Sequence, residues 1–242
     1  RWCDMDYKKI IGEQLKETVD EGKLDEIEKQ ESYKGDLANG NLVIEKYCKD
    51  NFAYLKSQMK DLKEADPRAN ANMSYDIRLN KEAETDSYVT YHCLSYAYLA
   101  GAHGSTFERS FNIVKATGKK LSQVVDTARV KDLQPILRKG VLSYLNQQSG
   151  NESQTANEEK TGNEGQNENE EQITDAQLND YLFIENGIIP LPSSSPYLAK
   201  DGVHFIYQQY EIGPYAMGLI SFTVPLDKIK PYLTAEALKL LK

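Results

Sequence analysis

The chain has 242 residues, 40% of them apolar, and a formal net charge of −8. That length can bury one large core or two small ones, and no apolar run approaches the span of a membrane-crossing helix. The 29 Lys and Arg are scattered among 37 Asp and Glu with no basic run, so nucleic acid is not an expected partner.

In chain order, residues 4–19 place Tyr7, Ile10, Ile11, Leu15 and Val19 near one face at helical spacing, with a further turn over 24–27. A loop over 36–40 leads to a second amphipathic helix, residues 41–64. Its apolar positions Val43, Ile44, Tyr47, Phe52, Tyr54, Leu55, Met59 and Leu62 are expected to pack on a sheet. Pro67 and the Asn-Ala run after it end that helix. From Met73 the period becomes two: Tyr75, Ile77 and Leu79 alternate with polar residues, and a turn is expected over 81–86. Residues 88–98 are rich in strand-favouring side chains, and Phe107, Arg109, Phe111 and Ile113 share an alternating face of a third strand. Thr117-Gly118-Lys119 then reads as a hairpin turn before a short segment over 121–125.

Asp132 is the expected cap of a helix reaching Leu145, with Pro135 in its first turn, where proline is tolerated. Residues 149–172 carry seven Glu and one Lys and no large apolar side chain, which reads as a mobile acidic insertion. A short helix follows, with Leu178 and Leu182. The last third is organised around Asp201–Val224. Two apolar runs, Val203–Tyr207 and Leu219–Val224, flank the turn-rich stretch Tyr210-Glu211-Ile212-Gly213-Pro214-Tyr215-Ala216-Met217-Gly218. A turn of helix over 225–233 and a terminal helix capped by Thr234 complete the chain. This order predicts an α+β fold, a mainly antiparallel meander with helices packed on one side. Two halves are expected, residues 1–100 and 101–242.

Cys3, Cys48 and Cys93 are too few for a disulfide framework, and none stands at CxxC or metal-ligand spacing. No nucleophile-elbow, zinc-protease, phosphate-loop or dinucleotide fingerprint is present, so no metal and no cofactor is expected. Among chemistry-bearing residues, His103 lies between Gly101 and Gly104, and Glu211 lies in the central loop. Each has an ordinary reading: the imidazole holds a compact turn, and the carboxylate satisfies backbone N–H groups. If the chain were a hydrolase or a carbohydrate-active enzyme, these two would be its acid–base candidates. The candidate binding set is Tyr98, His103, Tyr210, Glu211 and Tyr215, because tyrosine rings pack while their hydroxyls reach a partner.

Two motifs carry a resemblance. Tyr98-Leu99-Ala100-Gly101-Ala102-His103-Gly104, followed by the Thr117-Gly118-Lys119 turn, resembles the Y-x-G-G-A-H-G … T-G-K pattern of RsiV-like extracytoplasmic domains. Tyr210–Gly218 is similar to that family's second signature, Y-E-I-A-P-Y-A-x-G. Ala100 departs from the pattern where a glycine is usual, and Gly213 where an alanine is usual. Similar domains form the lysozyme-sensing outer part of an anti-sigma factor and the N-terminal part of PdaC-type peptidoglycan deacetylases. The resemblance implies an exported binding or sensor-like module of the cell envelope, its signal peptide removed. Residues 1–100 would be of the deacetylase-associated type and 101–242 the RsiV-like half. The partner would be a protein or cell-wall ligand, lysozyme being one candidate. A lipid anchor upstream is conceivable, although Arg1-Trp2 before Cys3 are not the small residues of a lipobox.

Overall fold

A computed structural model describes residues 33–36, 38–69, 72–156 (backbone only over 149–156) and 172–242, with Lys9, Gly12, Glu13 and Lys16. Those last four are helical. The rest of the helix expected over 4–19, the turn over 24–27, Cys3 and residues 157–171 lie outside the described residues. The chain divides into two compact units, Arg1–Ser122 with Glu236–Lys242, and Gln123–Ala235. The first unit runs through residue 100, where the strands on either side pair with each other along their length.

In the first unit, helix α1 spans Gly40–Ala65 and stops at Asp66, which turns extended just before Pro67. Its buried positions are Val43, Tyr47 and Asn51, one residue per turn. Val43 and Tyr47 pack with Tyr33 and with Ile77 and Leu79 of the sheet, and the Tyr47 hydroxyl accepts the Tyr33 amide at 3.0 Å. The buried stripe is narrower than the periodicity suggested, for Ile44, Phe52 and Met59 are exposed.

Strands β1 (Ser74–Glu84), β2 (Tyr88–Tyr98), β3 (Ser105–Val114) and β4 (Lys119–Lys120) form an antiparallel meander in sequence order. The expected turn over 81–86 is corrected: β1 continues to Glu84. A register shift between Lys81 and Ala83 absorbs the break in alternation as a bulge. Glu84 then takes Lys81 and Lys115 at 2.7 Å each. The two ammonium groups hold its carboxyl down at about 2. On β2, Cys93 is buried while its neighbour His92 points to the other face, where Nε2 lies 3.4 Å from a Glu108 carboxylate oxygen of β3. Cys48 is an exposed thiol on α1 and Cys93 a buried one.

The second unit opens on a bridge between Val125 and Leu233. A short 3₁₀ turn, Thr127–Arg129, is capped by Asp126, whose carboxylate accepts the Ala128 amide at 3.0 Å. Helix α2 runs Gln134–Ala156. Two expectations change here. Asp132 is not the cap; it lies before the helix and binds Arg129 at 2.7 Å. The acidic segment is not wholly irregular either, because α2 continues through its first residues to Ala156. Leu133, Leu137 and Val141 are fully buried at spacing four, and Leu145 continues the line. After α3 (Leu178–Tyr181), strands β5 (Tyr197–Leu198), β6 (Gly202–Tyr207) and β7 (Ile220–Pro225) form a second antiparallel sheet in that order. Two glycines set its close contacts. A Cβ at Gly140 of α2 would lie 2.4 Å from the Phe222 ring, so the ring packs directly on the helix backbone there. A Cβ at Gly202 would lie 2.1 Å from the Val224 carbonyl oxygen.

Helix α4 (Leu226–Ile229) and a 3₁₀ turn, Lys230–Tyr232, close the second unit. Helix α5, Ala235–Leu240, carries the chain back to the first. The fold is α+β with antiparallel sheets, as the element order predicted. No helix among the described residues is long and apolar enough to cross a membrane.

Candidate functional site

The loop between β6 and β7 is built from the bottom up by one carboxylate. Glu211 Oε1 accepts the Ser193 amide at 2.5 Å, and Oε2 accepts the Gln208 amide at 2.7 Å. The Glu211 amide donates in turn to the Gln208 carbonyl at 3.0 Å. One side chain thereby closes its own turn and ties it to the Ser193 strap. Ile212 is buried, and its carbonyl accepts the Phe183 amide at 2.8 Å. Tyr144 of α2 donates its hydroxyl to the Met217 carbonyl at 3.1 Å. The loop is thus fastened at Glu211, Ile212 and Met217.

That fastening leaves an aromatic pair at the surface. Tyr210 is 58% exposed and held at a left-handed φ of 66°, which side-chain-bearing residues seldom adopt. Its ring lies 5.7 Å from the half-buried Tyr215 ring, tilted by 41°. Pro214 and Ala216 are exposed beside them. Tyr207 is the inward member of the set: fully buried, it donates to the Pro190 carbonyl at 2.8 Å. Burial, and then the Glu211 charge, push its hydroxyl far above the ordinary tyrosine range. Among the binding candidates, the structure therefore brings Tyr210, Glu211 and Tyr215 together in one loop.

Tyr98 and His103 belong to the first unit. Tyr98 ends β2 opposite Ser74 and is half-buried. His103 is exposed, and its Nδ1 donates to the Gly104 carbonyl at 3.0 Å, the turn-holding role that its glycine neighbours suggested. Gly104 lies so close to Tyr96 that a Cβ would come 2.4 Å from its ring. Ala100 has φ 59°, the left-handed region in which glycine costs nothing.

Sequence reasoning missed the polar contacts of α2. Gln134 pairs with the backbone of Ile189 in both directions at 2.9 Å. Arg138 reaches Asp175, Asn179 and the Gly187 carbonyl, and Asn146 exchanges two bonds with the backbone of Ile173. Only Gln134 and Arg138 stand one turn apart, and that pair of polar residues was the sole signal in the spacing. Among the described residues, no group of three or more His, Cys, Asp or Glu is arranged to hold a metal.

These features define an antiparallel α+β domain whose second unit presents a clasped, tyrosine-bearing loop. Residues 124–227 match the family described as Protein of unknown function (DUF3298). The match takes in the Tyr210–Gly218 motif and leaves the Tyr98–Gly104 motif outside it. A crystal structure of a DUF3298 family member from Bacteroides fragilis is similar over 82% of this chain and 71% of its own, with a TM-score of 0.56 at 17% identity. Another DUF3298 family structure, from Pseudomonas aeruginosa, covers 71% of this chain and 66% of its own, with a TM-score of 0.47 at 16% identity. The first of these likenesses shows a shared fold. No curated protein matches the chain.

Proposed function

We propose that the chain is an extracytoplasmic binding module that captures a protein ligand on the Tyr210–Gly218 loop, lysozyme being the first candidate. The observation that carries this reading is the exposed Tyr210–Tyr215 pair on a loop fixed from beneath by Glu211. Large aromatic rings held in place before contact supply binding area at little ordering cost, and such residues dominate interface hot spots. The likeness of both motifs to RsiV-like domains supports the cell-envelope setting. The Glu211 carboxylate, with both oxygens on backbone amides, serves the loop's geometry in this reading rather than proton transfer.

The test is titration of the protein with hen egg-white lysozyme, for the unchanged chain and for Tyr210→Ala and Tyr215→Ala. The expected result is binding that each variant weakens by roughly 2 kcal/mol or more. Tyr210→Ala should do so at an unchanged melting temperature, since that ring is mostly in solvent. Absence of lysozyme binding removes lysozyme as the ligand. Retention of full affinity in both variants removes the loop as the site.

A further inference from the structure

We propose that the open edge of β7 is a second docking site, one that receives an extended peptide carrying an apolar side chain and a carboxylate. This inference is independent of the tyrosine loop. The second sheet has the order β5-β6-β7, so among the described residues β7 has a strand neighbour on one side only. Which of its groups face outward follows from β6. The Ala199 amide donates to the Gly202 carbonyl at 2.8 Å, so the backbone of Gly202 faces β5. Antiparallel backbones alternate direction at each residue, and Val203, Phe205 and Tyr207 accordingly face β7. Their partners are Val224, Phe222 and Ile220. The amides and carbonyls of Ser221 and Thr223 are therefore turned away from the sheet. Pro225, which has no amide to offer, ends the outward row.

The β1 and β7 edges are treated differently. The β1 edge carries Asp76, Arg78, Lys81, Glu82 and Glu84 and a bulge, the usual protections against strand addition. Strand β7, Ile-Ser-Phe-Thr-Val-Pro, has no charge and a continuous register with β6. Beside it runs a groove of about 510 Å³ between α2 and β7. Its walls include Pro135, Ile136 and Gly140 of the helix. They also include residues of both parities of β7, from Phe222 to Pro225, which places the groove along the strand's open side. Lys139 and Lys228 line it as well, the Lys228 ammonium lying 3.1 Å from the exposed Asp227 carboxylate, a surface pair that a ligand carboxylate can share. Open backbone rungs, an apolar trough and two ammonium groups fit one occupant: an added strand that sets an apolar side chain in the trough and a carboxylate by the lysines.

The experiment uses the ¹⁵N-labelled full chain and the pentapeptide acetyl-Thr-Val-Thr-Leu-Glu as probe. Expected are slowed amide exchange at Ser221 and Thr223, and binding that falls about tenfold when alternate peptide amides are N-methylated. Lys139→Ala with Lys228→Ala should weaken binding about tenfold and flatten its dependence on salt. Ser221→Pro removes one outward donor without touching the β6 ladder, and should abolish the exchange effect at Thr223 while the melting temperature holds. Three results overturn the proposal: no change at Ser221 and Thr223 with millimolar peptide, equal binding of the N-methylated peptide, or binding of lauric acid in the groove with none of the peptide.

Discussion

Glu211 grips the amide of Ser193 at 2.5 Å across eighteen positions of sequence. A charged acceptor on two backbone amides is among the stronger hydrogen-bonding arrangements, worth about 1.5–3 kcal/mol per bond. Glu211→Ala removes both bonds at once. The expected loss is about 2 kcal/mol after allowance for the partial exposure of the site, read as a lower urea midpoint at unchanged slope. Glu211→Gln keeps one acceptor oxygen and should lose less. Equal stability of all three proteins would contradict the clasp.

Ala100 stands in the left-handed region at φ 59°. A Cβ there costs about 1 kcal/mol that glycine avoids. Ala100→Gly should raise the melting temperature despite adding freedom to the unfolded chain, because relief of the strain exceeds that entropy. Thermal unfolding decides the sign. The same φ explains why the related motif carries a glycine at this position.

Gly140 sets two effects against each other. Alanine in a helix interior gains about 1 kcal/mol over glycine. Its methyl would, however, press on the Phe222 ring from 2.4 Å. That ring is stacked on Phe205 at 5.2 Å and has little room to withdraw. Overpacking of this kind costs about 1–3 kcal/mol, so Gly140→Ala should be neutral to destabilising. A clear gain in stability in a denaturant titration would show that helix and strand are less tightly joined.

His92 gives the pH dependence. The Glu108 carboxylate raises the imidazole above its ordinary 6.5, while burial acts in the opposite direction. A folded-state value above the unfolded one means the pair's contribution is complete below about 6.5 and fades as pH climbs through the folded value. Proton NMR titration of His92 should show the raised value, and Glu108→Gln should lower it. Stability of that variant should vary less between pH 6 and 8 than that of the unchanged protein. An unshifted His92 would overturn the assignment.

Most of the element order was legible because it rests on periodicity. Strand β2 and the β6–β7 hairpin follow from runs of β-branched and aromatic residues between Gly and Pro punctuation. The errors came where a local cue met a tertiary alternative. Lys81–Asp86 looked like a turn from its charges, yet Glu84 finds two lysines and the bulge keeps β1 paired past it. Asp132 looked like a cap, but Arg129 one turn earlier takes its carboxylate. The two-residue strand β5 is too short to show any period. At the site, Tyr210 and Glu211 stood out by type and position, whereas their division of labour depends on Ser193, whose sequence context gave no sign of it. The polar set Gln134, Arg138 and Asn146 of α2 was hidden because its partners are mostly backbone atoms, which leave no trace in composition.

The route of the chain has a consequence for synthesis. Residues 123–235 form a unit whose two ends are laced together: Val125 bridges Leu233, and the Thr234 amide donates to the Val124 carbonyl at 2.9 Å. The surrounding unit resumes only at Glu236. During translation the nested unit has all its residues before the one that encloses it does. The N-terminal portion therefore completes its own unit only after residues 236–242 have been made.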